Sequence, residues 1–177
     1  MPATRESEDR MNLQRVSVLL VCTGNICRSP TAEGVLRAAA ARRNLADRVL
    51  IASAGTHDYH VGQAPDARSV RHARKRGYDL SGLRASQVAR ADFERFDYIL
   101  AMDRDHLRML RALAPAEARA KIGLYLDASA TWRGEDVPDP YYGGPDGFER
   151  VLDMVEEAAE RWLDRLEADL DPSAFRL

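Results

Sequence analysis

The chain has 177 residues, of which 45% are hydrophobic and 31% are charged, and its formal net charge is −2. This composition is ordinary for a globular domain and does not indicate a protein that binds polyanions or charged membrane surfaces. No apolar run approaches the ~20 residues of a membrane-spanning helix, and two cysteines are too few for a disulfide framework. We therefore expect a cytoplasmic protein with neither a nucleic-acid nor a membrane partner.

The first fourteen residues differ in character from the rest of the chain. Residues 1–14 are polar and lack the apolar segment of a secretory signal, so we expect a disordered leader there. No linker, internal repeat or low-complexity tract interrupts the remainder. We predict one domain over 15–170, followed by a short tail at 171–177.

Strand and helix patterns alternate along the predicted domain. Short apolar runs predict four strands, at 16–21, 49–54, 97–102 and 121–126. Helical patterns with capping residues, Pro or Gly at their ends predict helices at 30–43, 65–77 and 103–115, and a short helical turn is expected within 90–96. Apolar residues on one face, namely Val151, Met154, Val155, Ala158, Trp162 and Leu166, predict a long last helix at 147–170. Ser29 and Asp103 stand where N-caps are expected, and Pro30 suits a first helical position.

This alternation predicts an α/β fold, a single domain with a four-stranded parallel sheet flanked by helices on both faces. Ligands of such sheets bind outside the carboxyl ends of the strands. The loops expected at that edge are 22–29, 53–56, the turn after Met102 and the long connection 127–147.

The loop "CTGNICRS" is the first candidate for chemistry. It joins a buried strand to a helix N-terminus, where backbone N–H groups and the helix dipole favour an anion. Arg28 adds a planar guanidinium suited to phosphate oxygens, and the same positive field favours the thiolate of Cys22, to which the Ser29 hydroxyl is able to donate. An anion cradle with a nucleophile predicts phosphoryl transfer through a cysteinyl-phosphate.

Other readings of this loop are weaker. No Gly-Lys-Ser/Thr follows, so it is not a Walker phosphate loop, and the glycine spacing of a dinucleotide site is absent. Two thiols without a nearby histidine do not make a zinc site. A purely structural, buried Cys22 stays open as the simpler alternative.

The loop "VPDPYYGGPDGF" supplies the other candidates. Asp139 lies between two prolines, which stiffen its backbone, and a carboxyl group there would protonate a leaving group and then activate water. Taken alone, the same letters also describe a surface turn. Tyr141 and Tyr142 would suit the walls of an aromatic cleft or the packing of the loop.

Four motifs together carry a family resemblance. "VCTGNICRSPTAEG", "SAGT", "DFERFDYILAMDRDHL" and "DPYYGG", in this order and spacing, resemble the low-molecular-weight protein tyrosine phosphatases, and the chain resembles a bacterial-type member of that family. The similarity runs from about residue 16 to about residue 166. It implies a four-stranded parallel sheet, no metal or other cofactor, and a phosphotyrosine-containing protein as substrate, with a bacterial tyrosine kinase as one candidate.

The resemblance also implies a role for each matched position. Cys22 would be the nucleophile, Arg28 the phosphate-binding residue and Asp139 the general acid and base. The phosphate loop would comprise the remaining residues Thr23, Gly24, Asn25, Ile26, Cys27 and Ser29. Asn25 and Ser29 would join Ser53 in the hydrogen-bond network that supports the loop, and Tyr59, Tyr141 and Tyr142 would line the substrate cleft.

Some positions depart from the family pattern or stay open. Arg76-Gly77 stands where many members have His-Gly, so one outer part of the supporting network is expected to differ, and His72 does not obviously replace it. His57 and His60 are expected beside the cleft, and His106 on a solvated helix face. Cys27 is either packing or, as in family members with this cysteine pair, the partner of Cys22 in a reversible disulfide.

Two alternative functions remain at this stage. An arsenate reductase shares the anion loop but needs further cysteines downstream, and none follows Cys27. An anion-binding module without catalysis would have no need for both Cys22 and Asp139. Either alternative is separated from a phosphatase by a metal-free assay of phosphate release.

Overall fold

The computed structural model of the protein describes residues 14–171. The predictions for residues 1–13 and 172–177 lie outside this range. The strands are β1 Val16–Cys22, β2 Val49–Gly55, β3 Tyr98–Ala101 and β4 Lys121–Leu124; the helices are α1 Arg28–Arg42, α2 Ala67–Lys75, α3 Asp92–Arg95, α4 Arg104–Leu113 and α5 Pro145–Leu170, with a 3₁₀ turn at Tyr125–Ala128.

The four strands form one parallel sheet in the order β2-β1-β3-β4. Cys22 pairs with Gly55, and Ala101 pairs with both Val21 and Leu124, so the carboxyl ends of all four strands meet at one edge. This arrangement confirms the predicted parallel α/β sheet and brings together the strand ends beside which a ligand site is expected.

Helices cover both faces of the sheet, as predicted. Alternate side chains of β1 point to opposite faces, because side-chain direction has a period of two in a strand. Leu20 belongs to the apolar cluster beneath α1 and α5, whereas Val21 belongs to a second cluster with Phe93 of α3 and Leu110 of α4. Within residues 14–171, no helix has the length and apolar character needed to cross a membrane.

The long last helix follows its predicted pattern closely. The apolar residues at helical spacing within 147–170 are buried, namely Val151, Met154, Val155, Ala158, Trp162 and Leu166. The fourth strand, by contrast, stops two residues before the predicted end. There the Tyr125 hydroxyl donates to the Val155 carbonyl over 2.8 Å, and the Trp162 indole donates to the Tyr125 carbonyl over 2.7 Å. These bonds to α5 turn the chain away from the sheet.

The helix N-termini differ from prediction at one important place. Asp103 caps α4 as predicted, accepting from the His106 amide over 2.9 Å. Ser29 does not cap α1: the helix begins at Arg28, its N-cap is Cys27, and no side chain caps it. The Ser29 side chain is used instead by the candidate site.

Candidate active site

A cavity of about 260 Å³ opens at the carboxyl edge of the sheet, where the parallel topology predicted a ligand site. Its lining comprises Cys22, Thr23, Gly24, Ile26, Cys27, Arg28, Tyr59, His60, Asp139, Tyr141 and Tyr142. The structure thus brings together the predicted nucleophile, the predicted acid and the predicted tyrosines around one opening.

The loop after β1 turns its carbonyls outward. The carbonyl oxygens of Cys22, Thr23 and Ile26 accept hydrogen bonds from Thr56, His57 and Asp66, over 2.8, 3.1 and 2.8 Å. Within residues 14–171, the backbone amides of residues 24–29 donate to no backbone carbonyl. Asn25 has a φ of 57°, and this left-handed conformation curls the loop. Unpaired amides in a curled loop at a helix N-terminus form a cradle for an anion.

Gly55 allows the loop to lie this close to β2. A Cβ atom at this position would come within 2.6 Å of the Thr23 carbonyl oxygen and 3.0 Å of the His57 carbonyl oxygen. Because both are backbone atoms, a larger residue would displace the loop itself. This close approach explains the glycine of "SAGT".

A hydrogen-bond network orients the group beside the Cys22 thiol. Cys22 Sγ lies 2.9 Å from Ser29 Oγ. The Asn25 amide donates to Ser29 Oγ over 2.7 Å and to Ser53 Oγ over 2.9 Å, and its own oxygen accepts from the Ser86 amide over 3.0 Å. Since Ser29 Oγ accepts from Asn25, its proton is available to Cys22 Sγ or to the Ala54 carbonyl, which lies 3.5 Å away.

The network ends at a buried carboxyl group that sequence reasoning missed. Ser53 Oγ donates to Glu33 over 2.7 Å, and Arg37 pairs with the other Glu33 oxygen over 2.9 Å. Burial raises the pKa of Glu33, while Ser53 and Arg37 act against that rise. Glu33 lies one turn after Ser29 on α1, on the same side of the helix. A charged residue on the side of a helix that covers a sheet is unusual, and this position could have indicated that Glu33 belongs to the site.

Arg28 is buried, with 4% of its surface exposed, and its guanidinium is held from several sides. Nη1 donates to Asp103 over 2.8 Å and to the Val137 carbonyl over 3.1 Å. Nη2 faces the Thr23 hydroxyl at 3.4 Å. Asp103 therefore both caps α4 and pairs with Arg28, and the second contact was not predicted because it joins residues 75 positions apart.

The prediction for His106 is wrong. This side chain was expected on a solvated face, but the residue is only 2% exposed. The first turn of α4 faces the end of β1, which places His106 Nε2 2.7 Å from Thr23 Oγ1 and Nδ1 3.1 Å from Asp103. Burial, and after it the charge of Arg28, lower the pKa of His106 to about 4.

Asp139 approaches the Arg28 guanidinium from the exposed loop before α5. One of its oxygens lies 3.8 Å from Arg28 Nη2, and the other accepts from the Tyr141 amide over 3.0 Å. Its side chain is 47% exposed. Tyr59 stacks on His57 with 4.8 Å between ring centroids, and Tyr141 meets Tyr142 edge-on at 4.9 Å.

The remaining predicted positions lie at or beyond the margin of the cavity. His60 lines it, whereas Ser53 acts from behind the loop through Asn25. Arg76 does not reach the loop: it pairs with Glu149, Asp153 and Glu156 of α5, and His72 bonds to Glu149 over 2.7 Å.

Both cysteines of the loop are free thiols and buried. Burial raises the pKa of Cys27 to about 12, so this residue is a neutral thiol near neutral pH. Within residues 14–171, no three His, Cys, Asp or Glu side chains are grouped to hold a metal ion.

With this geometry in place, the family can be assigned. The sequence model of the low molecular weight phosphotyrosine protein phosphatases matches residues 17–171. The chain belongs to this family. A low molecular weight protein-tyrosine-phosphatase of Streptomyces coelicolor is 45% identical over 145 residues, which cover 80% of this chain and 88% of the relative. The protein is accordingly an enzyme, a phosphoric monoester hydrolase of the protein-tyrosine-phosphatase class.

Solved structures agree in fold. A protein tyrosine phosphatase from Entamoeba histolytica is 40% identical, with a TM-score of 0.83, and the match covers 87% of this chain and 98% of the other. A Drosophila arginine phosphatase is 33% identical, with a TM-score of 0.80 and coverage of 86% and 98%. Family membership favours a phosphatase over an arsenate reductase or a binding module without catalysis.

Proposed function

We propose that this enzyme hydrolyses phosphotyrosine in proteins through a phosphocysteine intermediate on Cys22. The observation that carries the proposal is the position of Cys22 Sγ in a cavity whose loop amides are unpaired and whose buried Arg28 is already held in place. Such a site binds the three non-bridging phosphate oxygens and leaves phosphorus open to the thiolate.

The first half-reaction uses both loops. The Cys22 thiolate attacks phosphorus, the bond from phosphorus to the tyrosine oxygen breaks, and Asp139 donates a proton to the departing phenol oxygen. Arg28 and the loop amides bind the equatorial oxygens, where charge accumulates in the transition state. The Ser29 hydroxyl stabilises Cys22 as a thiolate before the attack and as a leaving group after it.

The second half-reaction regenerates the thiolate. Asp139, now a carboxylate, accepts a proton from a water molecule, and the oxygen of that water attacks phosphorus. The bond between sulfur and phosphorus breaks, and inorganic phosphate leaves. Thr23, Gly24, Asn25, Ile26, Cys27, Arg28 and Ser29 form the phosphate loop in this scheme, with Asn25 and Ser53 supporting it.

The cleft walls favour an aromatic phosphoester. Tyr59, Tyr141 and Tyr142 stand around an opening whose nucleophile is buried, so a long, flat phosphotyrosine reaches Cys22 whereas a short phosphoserine does not. A phosphoprotein substrate follows from the family. An autophosphorylated bacterial tyrosine kinase is our candidate within that class, and a reducing compartment suits the free thiols.

The decisive experiment removes the nucleophile. Cys22→Ser should abolish hydrolysis of a phosphotyrosine peptide, while orthovanadate still binds because the amides and Arg28 remain. In wild type, an acid-quenched reaction should show phosphate on the peptide containing Cys22. Hydrolysis by a clean Cys22→Ser preparation above about a thousandth of the wild-type rate would falsify the covalent route.

Phosphoserine and phosphoarginine peptides serve as substrate controls, the latter because an arginine phosphatase shares the fold. The proposal requires phosphotyrosine to have the highest kcat/KM of the three. A higher value for either control would assign the cleft to a different phosphoester or to a phosphoramidate.

A further inference from the structure

His106 lies behind the phosphate loop and outside the lining of the cavity. Its ring fills the space between the first turn of α4 and the carboxyl end of β1. There it meets three groups: the Thr23 hydroxyl at Nε2, the Asp103 carboxylate at Nδ1, and Arg28 Nη2, which is 3.5 Å from Nε2. Two of these three, Thr23 and Arg28, line the cavity directly.

The neighbours determine which ring nitrogen carries the proton. Asp103 lies 3.1 Å from Nδ1, although the alignment there falls short of a good hydrogen bond. A lone pair on Nδ1 would face a carboxylate that already pairs with Arg28, so the proton belongs on Nδ1. Nε2 then carries the lone pair, which accepts from the Thr23 hydroxyl and faces the positive guanidinium.

This tautomer sets the direction of the Thr23 hydroxyl. Because its proton goes to Nε2 over 2.7 Å, the Thr23 oxygen presents lone pairs to Arg28 Nη2 at 3.4 Å. Nη2 is therefore held on its inner side by the Thr23 oxygen, with His106 Nε2 at 3.5 Å, while Nη1 is held by Asp103 and the Val137 carbonyl. On the outer side of Nη2 lies Asp139, at 3.8 Å.

We propose that His106, as a neutral acceptor, is a positioning residue that orients Thr23 and the Nη2 side of Arg28 for phosphate binding and the transition state. Without it, Arg28 Nη2 would have Asp139 as its strongest neighbour and would turn toward the general acid. The inference rests on the proposed phosphatase mechanism for its effect on kcat, but its effect on anion binding is independent of turnover.

The charge around the ring agrees with a neutral role. Arg28 disfavours an imidazolium, whereas Asp103, Asp139 and Asp136 favour one, and burial outweighs them all, so the pKa of His106 falls to about 4. His106 is therefore uncharged at neutral pH and contributes an acceptor rather than a positive charge.

The test uses two amides of different reach. In His106→Gln, the side-chain oxygen reaches the position of Nε2 and accepts there; in His106→Asn, the amide reaches only the position of Nδ1. Calorimetry with orthovanadate should give near-wild-type affinity for the Gln variant and a roughly tenfold weaker Kd for the Asn variant, the size expected for losing a hydrogen bond near a charged group. With phosphotyrosine peptide, kcat should fall more than KM changes.

Three controls separate positioning from folding. Met109→Gln, on the exposed side of α4, should leave Kd and kcat unchanged. Thermal melts report whether the Gln and Asn variants are equally folded. In a Thr23→Val background, His106→Asn should cost clearly less than in wild type, because part of its effect passes through the Thr23 hydroxyl.

A measurement on the unmodified protein completes the test. Imidazole ¹⁵N spectra, with the His106 signal assigned among the four histidines by its loss in His106→Gln, should show a protonated Nδ1 and an unprotonated Nε2 at pH 7. A protonated Nε2, or equal vanadate affinities for the Asn and Gln variants, overturns the proposal. If wild type binds vanadate but hydrolyses no phosphotyrosine, the proposed function fails while this inference stands.

Discussion

The two loops that meet at the cavity are built in opposite ways. The phosphate loop is buried and cross-linked: Cys22, Asn25, Arg28 and Ser29 all have buried side chains with partners on other elements. The loop 137–144 is exposed apart from Val137 and Pro140, and Tyr142 is 91% accessible. Among residues 14–171, its backbone amides reach beyond the loop only through Val137, which donates to Met102 over 2.8 Å.

This difference follows from what each loop has to do. An anion cradle works by presenting donors that need no reorganisation when charge develops, so it benefits from rigidity. A general acid has to meet a leaving group that arrives with the substrate, and exposed loops with few long-range bonds close readily. In the proposed mechanism, the nucleophilic half of the site is therefore set before binding, and the acidic half is completed by the substrate.

Among the changes that test this contrast between the loops, replacement of Asp139 on the exposed loop should have the largest effect on the rate. Asp139→Ala should slow phenyl phosphate and phosphotyrosine by roughly 10²–10⁴-fold, because a poor leaving group needs the proton. Esters of acidic phenols should lose much less. Hydrolysis rates of wild type and Asp139→Ala across a series of aryl phosphates with different leaving groups check this prediction. Asp139→Asn is the control that keeps the side-chain volume. Equal losses across the series would make Asp139 a structural residue.

Lowering the pH should reduce the stability of the protein through His106, which is buried behind the phosphate loop. The pKa of His106 is about 4 in the folded protein and 6.5 without its surroundings. The unfolded chain therefore binds the proton more readily, and stability present above about pH 6.5 is lost as pH falls toward 4, by about 3 kcal/mol in full. Urea unfolding of wild type and His106→Gln at pH 7, 5.5 and 4 measures this loss.

The variant should lose less stability than wild type over that pH window, because it cannot take up the proton. Carboxyl groups remote from the ring, Glu33 among them, titrate in both proteins and cancel in the difference, whereas Asp103, Asp136 and Asp139 interact with the ring and form part of its effect. Parallel curves for the two proteins would show that His106 is not buried as a neutral ring.

Oxidation by peroxide tests the two cysteines of the phosphate loop, Cys22 and Cys27. Peroxide converts the Cys22 thiolate to a sulfenic acid, and attack by Cys27 would give a disulfide and water. Because the pKa of Cys27 is about 12, its thiolate is scarce, and we expect this rescue to quicken as pH rises. Wild type should recover most of its activity with dithiothreitol, and Cys27→Ser should recover poorly; equal recovery would make Cys27 packing only.

The smallest effect should come from the tip of the exposed loop. Tyr142→Ala should raise KM for a phosphotyrosine peptide by about threefold, with little change in kcat or in melting temperature, since an exposed ring contributes binding surface but little stability. Steady-state kinetics and a thermal melt suffice. A change of more than about 3 °C in melting temperature would show that the tip stabilises the fold and would weaken the contrast between the loops.

Local patterns were enough for most of the fold. Short apolar runs located the four strands, and the signals for helix starts and ends, with the apolar face of the last helix, located the α-helices, because each of these signals depends only on residues close in sequence. The alternation of these elements determined the parallel sheet, and the sheet determined the edge that carries the site. The motif residues Cys22, Arg28 and Asp139 were predicted as site residues from their chemistry and from the family resemblance, and all three line one cavity.

What only the tertiary structure decided are the contacts behind the loop. Ser29 looked like a helix cap and instead lies against Cys22; Glu33 looked like a helix residue and ends the supporting network; His106 looked solvated and is buried. His106 meets Thr23 across 83 positions of sequence, and Arg28 meets Asp103 across 75. A local pattern encodes which residues are polar, but only the parallel pairing of β1 with β3 brings the loop after β1 beside the start of α4 and decides which polar residues face one another.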